Sequence, residues 1–213
     1  MRINFLLIGE GTSDLRLIDH IESIFINEGF TEVSGEAPDL GRFTPPAGRD
    51  TKSKIGCLLK HFPNFDAIFI HRDADNSGAA AREREIADAA AELISLDKVI
   101  PVIPVTMLET WLLADIDILK RVAGNLNYKG IPNNLPPINR LESVKDSKQL
   151  LLDTLCTLSE TQGARLQKFK KRFPEMRARL TYDLDPNGPI NELSSYREFR
   201  ARIKELSNRL LNP

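Results

Sequence analysis

The chain has 213 residues, with 29 Lys and Arg against 30 Asp and Glu and a formal net charge of -1. Near-neutrality excludes an evenly basic nucleic-acid coat and an acidic disordered tail, and 41% hydrophobic with 28% charged residues is the composition of a globular protein that can build a core. The total conceals a division: residues 1–139 hold 14 Lys and Arg against 20 Asp and Glu, whereas residues 140–213 hold 15 against 10, so the two parts are expected to meet different partners.

Ile3 to Ile8 is almost wholly apolar and is followed by Gly9-Glu10-Gly11, which reads as a buried strand turning out of a sheet. It is too short for a membrane span, and nothing later reaches about 18 uninterrupted apolar residues. Thr12, Ser13 and Asp14 offer helix caps, Leu17, Ile18, Ile21, Ile24 and Phe25 recur at helical spacing, and Gly29 ends the helix. Phe30 to Ser34 reads as a second strand. Glu36 to Asp50, with three prolines and two glycines, reads as a loop.

Ile55, Leu58, Leu59 and Phe62 stripe a second helix, in which Cys57 is a small apolar side chain. Neither it nor Cys156 belongs to a CxxC, which argues against structural zinc or a disulfide framework. Ala67 to Ile70 is a third strand running into His71-Arg72-Asp73-Ala74-Asp75. Ala79 to Ser95 reads as a third helix, and Val99 to Val105 as a fourth strand whose Pro101 and Pro104 suit a sheet edge.

The alternation stops near Asp115. Gly124 to Asn139 is loop, and the remainder reads as helices over Ser147–Leu158, Gln162–Leu180 (interrupted at Pro174) and Ser194–Leu211. The expected fold is therefore α/β: a Rossmann-like parallel four-stranded sheet flanked by helices over residues 1–118, with a helical C-terminal appendage over 119–213 packed on it.

In such a sheet ligands bind beyond the carboxyl ends of the strands. Acids stand at three of those four ends: Glu10 after the first strand, Asp73 and Asp75 after the third, Glu109 after the fourth. Clustered carboxylates repel unless a cation is bound or some are protonated. Asp73 and Asp75, one residue apart, would share a side of an extended backbone and could share an Mg²⁺ ion, which takes one or two carboxylates and leaves its other positions to water and phosphate. His71 would lie on the same side.

Rival readings fit less well. Asp73 to Gly78 matches the first half of an EF-hand loop, but position twelve is Arg84 and a strand precedes it. An aspartyl phosphatase carries its DxD after the first strand, where this chain has Gly9-Glu10-Gly11. Each acid taken singly could be a helix cap or turn residue.

Glu10 within Gly9-Glu10-Gly11-Thr12-Ser13-Asp14, followed two elements later by Asp73-Ala74-Asp75, resembles the Toprim domain. That domain is shared by topoisomerases, bacterial primases, a 5S ribosomal RNA maturase and the nuclease half of the OLD proteins. Met107 to Asp115, with Glu109-Thr110-Trp111, resembles a further motif of bacterial Toprim-like proteins of this size, as do Lys145-Asp146 with Leu150-Leu151 and the Arg179 to Phe199 stretch.

The resemblance implies Glu10 as general acid or base and metal ligand, Asp73 and Asp75 as ligands of Mg²⁺ or Mn²⁺, and Glu109 as a supplementary ligand. Gly11, Asp14, His71 and Trp111 would support them. It also implies a basic residue near the scissile phosphate, for which Arg42, Arg49, Lys52 and Lys54 are candidates, and a separately encoded ATPase partner.

Between Gly163 and Leu180 there are seven Lys or Arg and one acid, Glu175. Lys168, Lys171, Arg172 and Arg179 are the candidate phosphate-binding residues for DNA or RNA, while Phe169 and Phe173 suit anchoring of the helix. Trp111 suits packing better than base stacking. The expectation is a cytoplasmic, Mg²⁺- or Mn²⁺-dependent nuclease or phosphoryl-transfer enzyme with no membrane partner. The alternatives are a non-catalytic module binding nucleic acid or protein, and a small-molecule phosphatase.

Overall fold

The computed structural model describes residues 1–212. The first strand, β1 (Arg2–Ile8), leads through a 3-10 turn at Asp14–Arg16 into helix α1 (Leu17–Asn27), and then come β2 (Glu32–Glu36), α2 (Thr51–His61), β3 (Ala67–His71), α3 (Ala79–Ala90) and β4 (Val99–Val102). The sheet is wholly parallel in the order β2-β1-β3-β4. The order reverses between β1 and β3, so the connections leaving these two strands diverge and open a crevice between them.

Strand alternation divides the interior. Ile3, Phe5 and Leu7 of β1 and Ala67 and Phe69 of β3 face α1, whereas Leu6, Ile8, Ile68 and Ile70 face Ile55 and Leu58 of α2 and Ile86 and Ala90 of α3. Both strands are buried on two sides, which is why they read as nearly continuous apolar runs, broken in β1 only by Asn4. Strand β4 pairs only with β3 and carries Pro101 at the sheet's margin, where a missing N–H costs no ladder bond.

The chain continues as α4 (Glu109–Leu112), α5 (Ile116–Ala123), α6 (Ser147–Ser159), α7 (Gly163–Lys171), α8 (Phe173–Tyr182) and α9 (Ser194–Leu211). Pro174 divides α7 from α8, sitting in the first turn of the latter, where no N–H is needed. These helices do not build a separate core. Leu151, Leu155, Met176, Leu180, Tyr196, Phe199 and Ile203 join Phe5, Phe25 and Phe69 in one continuous cluster, so the C-terminal half is the second layer over one face of the sheet. Among the described residues, no helix is long and apolar enough to cross a membrane.

Candidate functional site

The loop after β1 is folded tightly on itself. A Cβ on Gly9 would stand 2.8 Å from the Gly11 carbonyl oxygen and 3.1 Å from the Asp14 Cβ, whereas one on Gly11 would meet nothing closer than 3.9 Å; Gly9 is thus required by close approach. Asp14, buried, accepts the Gly11 N–H on Oδ2 at 3.0 Å. From the opposite side, Lys54 of α2 donates to the carbonyl oxygens of Gly9 at 2.9 Å and Glu10 at 3.2 Å. Burial, with Arg72 nearby, pulls the Lys54 ammonium below its ordinary pKa against the opposing pull of Glu10 and Asp14. The loop, Leu15, Leu40 and Lys54 border a cavity of about 140 Å³ beside Glu10.

At the end of β3 the strand's alternation separates the charges into two networks. Arg72 points toward α3, pairs with the Glu10 carboxylate and stands 3.1 Å from Glu85. Glu85 also accepts from Arg82 at 2.7 Å, and Arg82 donates to the Asp73 carbonyl at 3.0 Å and lies 3.7 Å from Asp75. The result is an alternating run, Glu10, Arg72, Glu85, Arg82, Asp75, along the α2 and α3 face. Burial raises the Glu10 carboxyl above its ordinary range; Arg72 pulls it back, and Asp73 and Asp75 push it up again. Both aspartates that follow β3 therefore act on Glu10.

His71 faces the opposite way, with Phe69. Its Nδ1 is 3.4 Å from Asp14 Oδ2 and its Nε2 is 3.3 Å from Asp73 Oδ1, approaches of charge rather than aligned hydrogen bonds. Burial opposes its protonation, yet the two carboxylates outweigh it and hold the imidazolium up to about 9. Asp14 Oδ1 accepts from Arg177 Nη2 at 2.9 Å, and Arg177 Nε donates to Glu109 Oε1 at 2.7 Å. Burial alone would raise the Asp14 pKa; His71, the Gly11 N–H and Arg177 hold it well below the carboxylate range. Asp14, His71, Glu109 and Arg177 are all buried, and a buried charge persists only when paired.

The structure thus brings Glu10, Asp73 and Asp75 to one crevice but treats them individually. Asp73 Oδ1 accepts the Leu108 N–H at 2.9 Å. Asp75 has left-handed backbone geometry, φ 45°, and its N–H donates to the carbonyl of Thr106, itself at φ 63°. The expectation that Asp73 and Asp75 project to the same side of an extended segment is corrected: β3 ends at His71, Ala74 turns into the core, and the two carboxylates find different partners. Glu109 does not join them at the open edge. Strand β4 stops at Val102, and residues 103–108 carry Glu109 to the start of α4, where it is 3% exposed and held by Arg177.

Trp111 is fully buried, donates from Nε1 to Ser195 Oγ at 2.9 Å and packs edge-on against Tyr196, so it fastens α4 to α9. Lys168 and Lys171 of α7, Arg172 at the junction and Arg179 of α8 are exposed. Of the four basic candidates after β2, Lys54 touches the Glu10 loop, while Arg42 pairs with Asp39 and Lys52 with Glu92; Arg49 borders a neighbouring cavity with Arg72.

Arg177 is the residue that sequence reasoning missed. Its signal lies in the spacing Phe173, Met176, Arg177, Leu180, which puts an arginine in the buried stripe of α8.

Among the described residues, no three His, Cys, Asp or Glu side chains are already arranged around a common point as a metal site. In donor chemistry, Glu10, Asp73 and Asp75 offer the carboxylate oxygens a hard dication takes. Fold and site define an α/β protein with an acidic, arginine-balanced crevice at the topological switch point of a parallel sheet. No family model matches the chain, and no curated protein or solved structure is significantly similar to it.

Proposed function

We propose that the protein is a Toprim-like, Mg²⁺- or Mn²⁺-dependent phosphodiesterase acting on DNA or RNA, working with a separately encoded ATPase. The observation that carries this reading is the meeting of Glu10, Asp73 and Asp75 at the β1/β3 crevice within electrostatic reach of one another. The basic helices support it: Arg177 ties α8 to the loops beside the crevice, and Lys171 and Arg172 lie within two turns of Arg177 along the chain.

Glu10, Asp73 and Asp75 would hold the metal, which supplies charge neutralisation at the phosphoryl oxygens and a hydroxide at neutral pH. Glu10 is partly buried with a raised pKa, suited to holding a proton for the leaving oxygen or ordering the attacking water. Arg72 and Arg82 neutralise the acids within the protein and stand ready to pair with substrate phosphate when those acids are engaged.

Calorimetric titration with Mn²⁺ of the wild type and of the Asp73→Ala/Asp75→Ala variant tests the metal site; equal binding removes it. Loss of cleavage of mixed nucleic acids in Glu10→Gln tests the catalytic role, and unchanged cleavage refutes it.

A second reading, a non-catalytic nucleic-acid or protein-binding module, is favoured by one feature, the arginine found beside each of two acids, Arg72 paired with Glu10 and Arg82 3.7 Å from Asp75. It predicts binding that persists in excess chelator, without turnover in any metal.

A further inference from the structure

Arg177 reaches both sides of the crevice. Through Asp14 Oδ1 it fixes a carboxylate whose other oxygen holds the Gly11 N–H at 3.0 Å, next to Glu10, and faces His71 at 3.4 Å. His71 in turn faces Asp73 Oδ1 at 3.3 Å. Through Glu109 at 2.7 Å, Arg177 fixes the first turn of α4, and the residue before Glu109, Leu108, donates its N–H to that same Asp73 oxygen at 2.9 Å. Two routes thus end on Asp73 and one beside Glu10. All begin at a single guanidinium, whose rigid fork serves two carboxylates from two different nitrogens, whereas a lysine would have to reach both from one atom on a flexible stem.

The partners are far apart in the chain: Asp14 is 163 residues from Arg177 and Glu109 is 68. A salt bridge that only closed the fold would have no need to end on the Gly11 and Leu108 amides. Those amides sit on the loops bearing Glu10 and following β4, and each is held by a carboxylate within this network.

We propose that Arg177 is a positioning residue: it sets the Glu10 loop and the inner oxygen of Asp73, leaving the outer Asp73 oxygen to face the crevice, so that the C-terminal helices are part of the site. This rests on the metal-dependent reading for its consequence, but the positioning can be measured without any metal.

The test uses the full chain as Arg177→Met/Glu109→Gln, which removes the cation together with one of the charges it would leave buried, beside Arg177→Lys. In the metal-free proteins, amide hydrogen exchange at Leu108 and Gly11 is compared with that at Phe69 in the central strand. The expected result is exchange at least tenfold faster at Leu108 and Gly11 in the double variant, with Phe69 unchanged and Arg177→Lys intermediate. Mn²⁺ affinity by calorimetry should fall at least tenfold in parallel.

Unchanged exchange at both amides overturns the proposal, as does faster exchange with Mn²⁺ affinity equal to wild type. If the double variant loses protection everywhere, Arg177→Lys, which keeps the charge but loses the fork, decides by the same comparison. A wild type that binds no Mn²⁺ refutes the metal reading instead, and the exchange data then settle the positioning role alone.

Discussion

The guanidinium of Arg72 joins the Glu10 carboxylate at the end of β1 to Glu85 on α3, bridging the crevice at its floor. Burial and the neighbouring aspartates push the Glu10 carboxyl up, and Arg72 is the group that most opposes them. In Arg72→Met the Glu10 titration should therefore move to higher pH, as followed by carboxyl carbon NMR of the metal-free protein. A Glu10 titration that stays in place means the pair contributes nothing to its ionisation.

The stability of the metal-free protein should peak near neutrality. His20 is buried between the Leu184 carbonyl at 3.0 Å and the Tyr196 hydroxyl at 2.9 Å, and burial lowers its pKa to about 4. Between the unfolded value of about 6.5 and that level the unfolded chain binds the extra proton, so stability falls as pH falls.

His71, up to about 9, has the opposite sign. Its contribution is complete below about 6.5 and is lost as pH rises through 9. Urea denaturation across pH 4–10 should give a dome, and His71→Gln should flatten only the alkaline limb. An alkaline limb unaltered in that variant would mean His71 is neutral in the fold.

Helix α9 has no cap of its own, since Leu193 stands at its N-terminus. Glu142 supplies one from a distance, accepting the Ser194 N–H at 3.0 Å, the Ser195 N–H at 2.8 Å and the Ser195 hydroxyl at 2.7 Å. Ser195 in turn receives the Trp111 indole N–H. Glu142→Ala should cost about 1–3 kcal/mol, the range for leaving such donors unsatisfied, measured by chemical denaturation. A loss below about 0.5 kcal/mol would place it among neutral surface substitutions.

The basic helices should not contribute equally to nucleic-acid binding. Lys168, Lys171, Arg172 and Arg179 are all exposed, but Arg172 is engaged with Glu175 at 3.1 Å and Arg179 with Asp183 at 2.7 Å. Lys168→Ala/Lys171→Ala should lower affinity and reduce the slope of log affinity against log salt by about one for every phosphate that is no longer neutralised. Arg172→Ala and Arg179→Ala should do less. Fluorescence anisotropy with a short duplex and a short single strand reads this, and equal slopes would exclude α7 as the interface.

Much of the fold was legible because its signals are local. The apolar runs at Ile3–Ile8 and Ala67–Ile70, the stop at Gly29, the break at Pro174 and the edge character of the Pro101 strand all act within a few residues. The site was legible only as far as the strands reached. Glu10 and Asp73 follow directly from strand ends. Asp75 departs because the backbone turns left-handed there, held by Thr106 on another loop, and Glu109 departs because its strand ends at Val102. Arg177 was hidden among seven basic residues, since what sets it apart is two carboxylates brought from distant parts of the chain.

The layering of the core also fixes an order of events during synthesis. All four strands and α1 to α3 are made by residue 102, yet the face bearing Phe5, Phe69 and Val102 has its cover of α8 and α9 only once Phe199 and Leu206 have been added. At about 5–20 residues per second, a nascent chain would carry that apolar face covered by α1 alone for roughly 5–20 s, a window in which a ribosome-associated chaperone would find its binding surface.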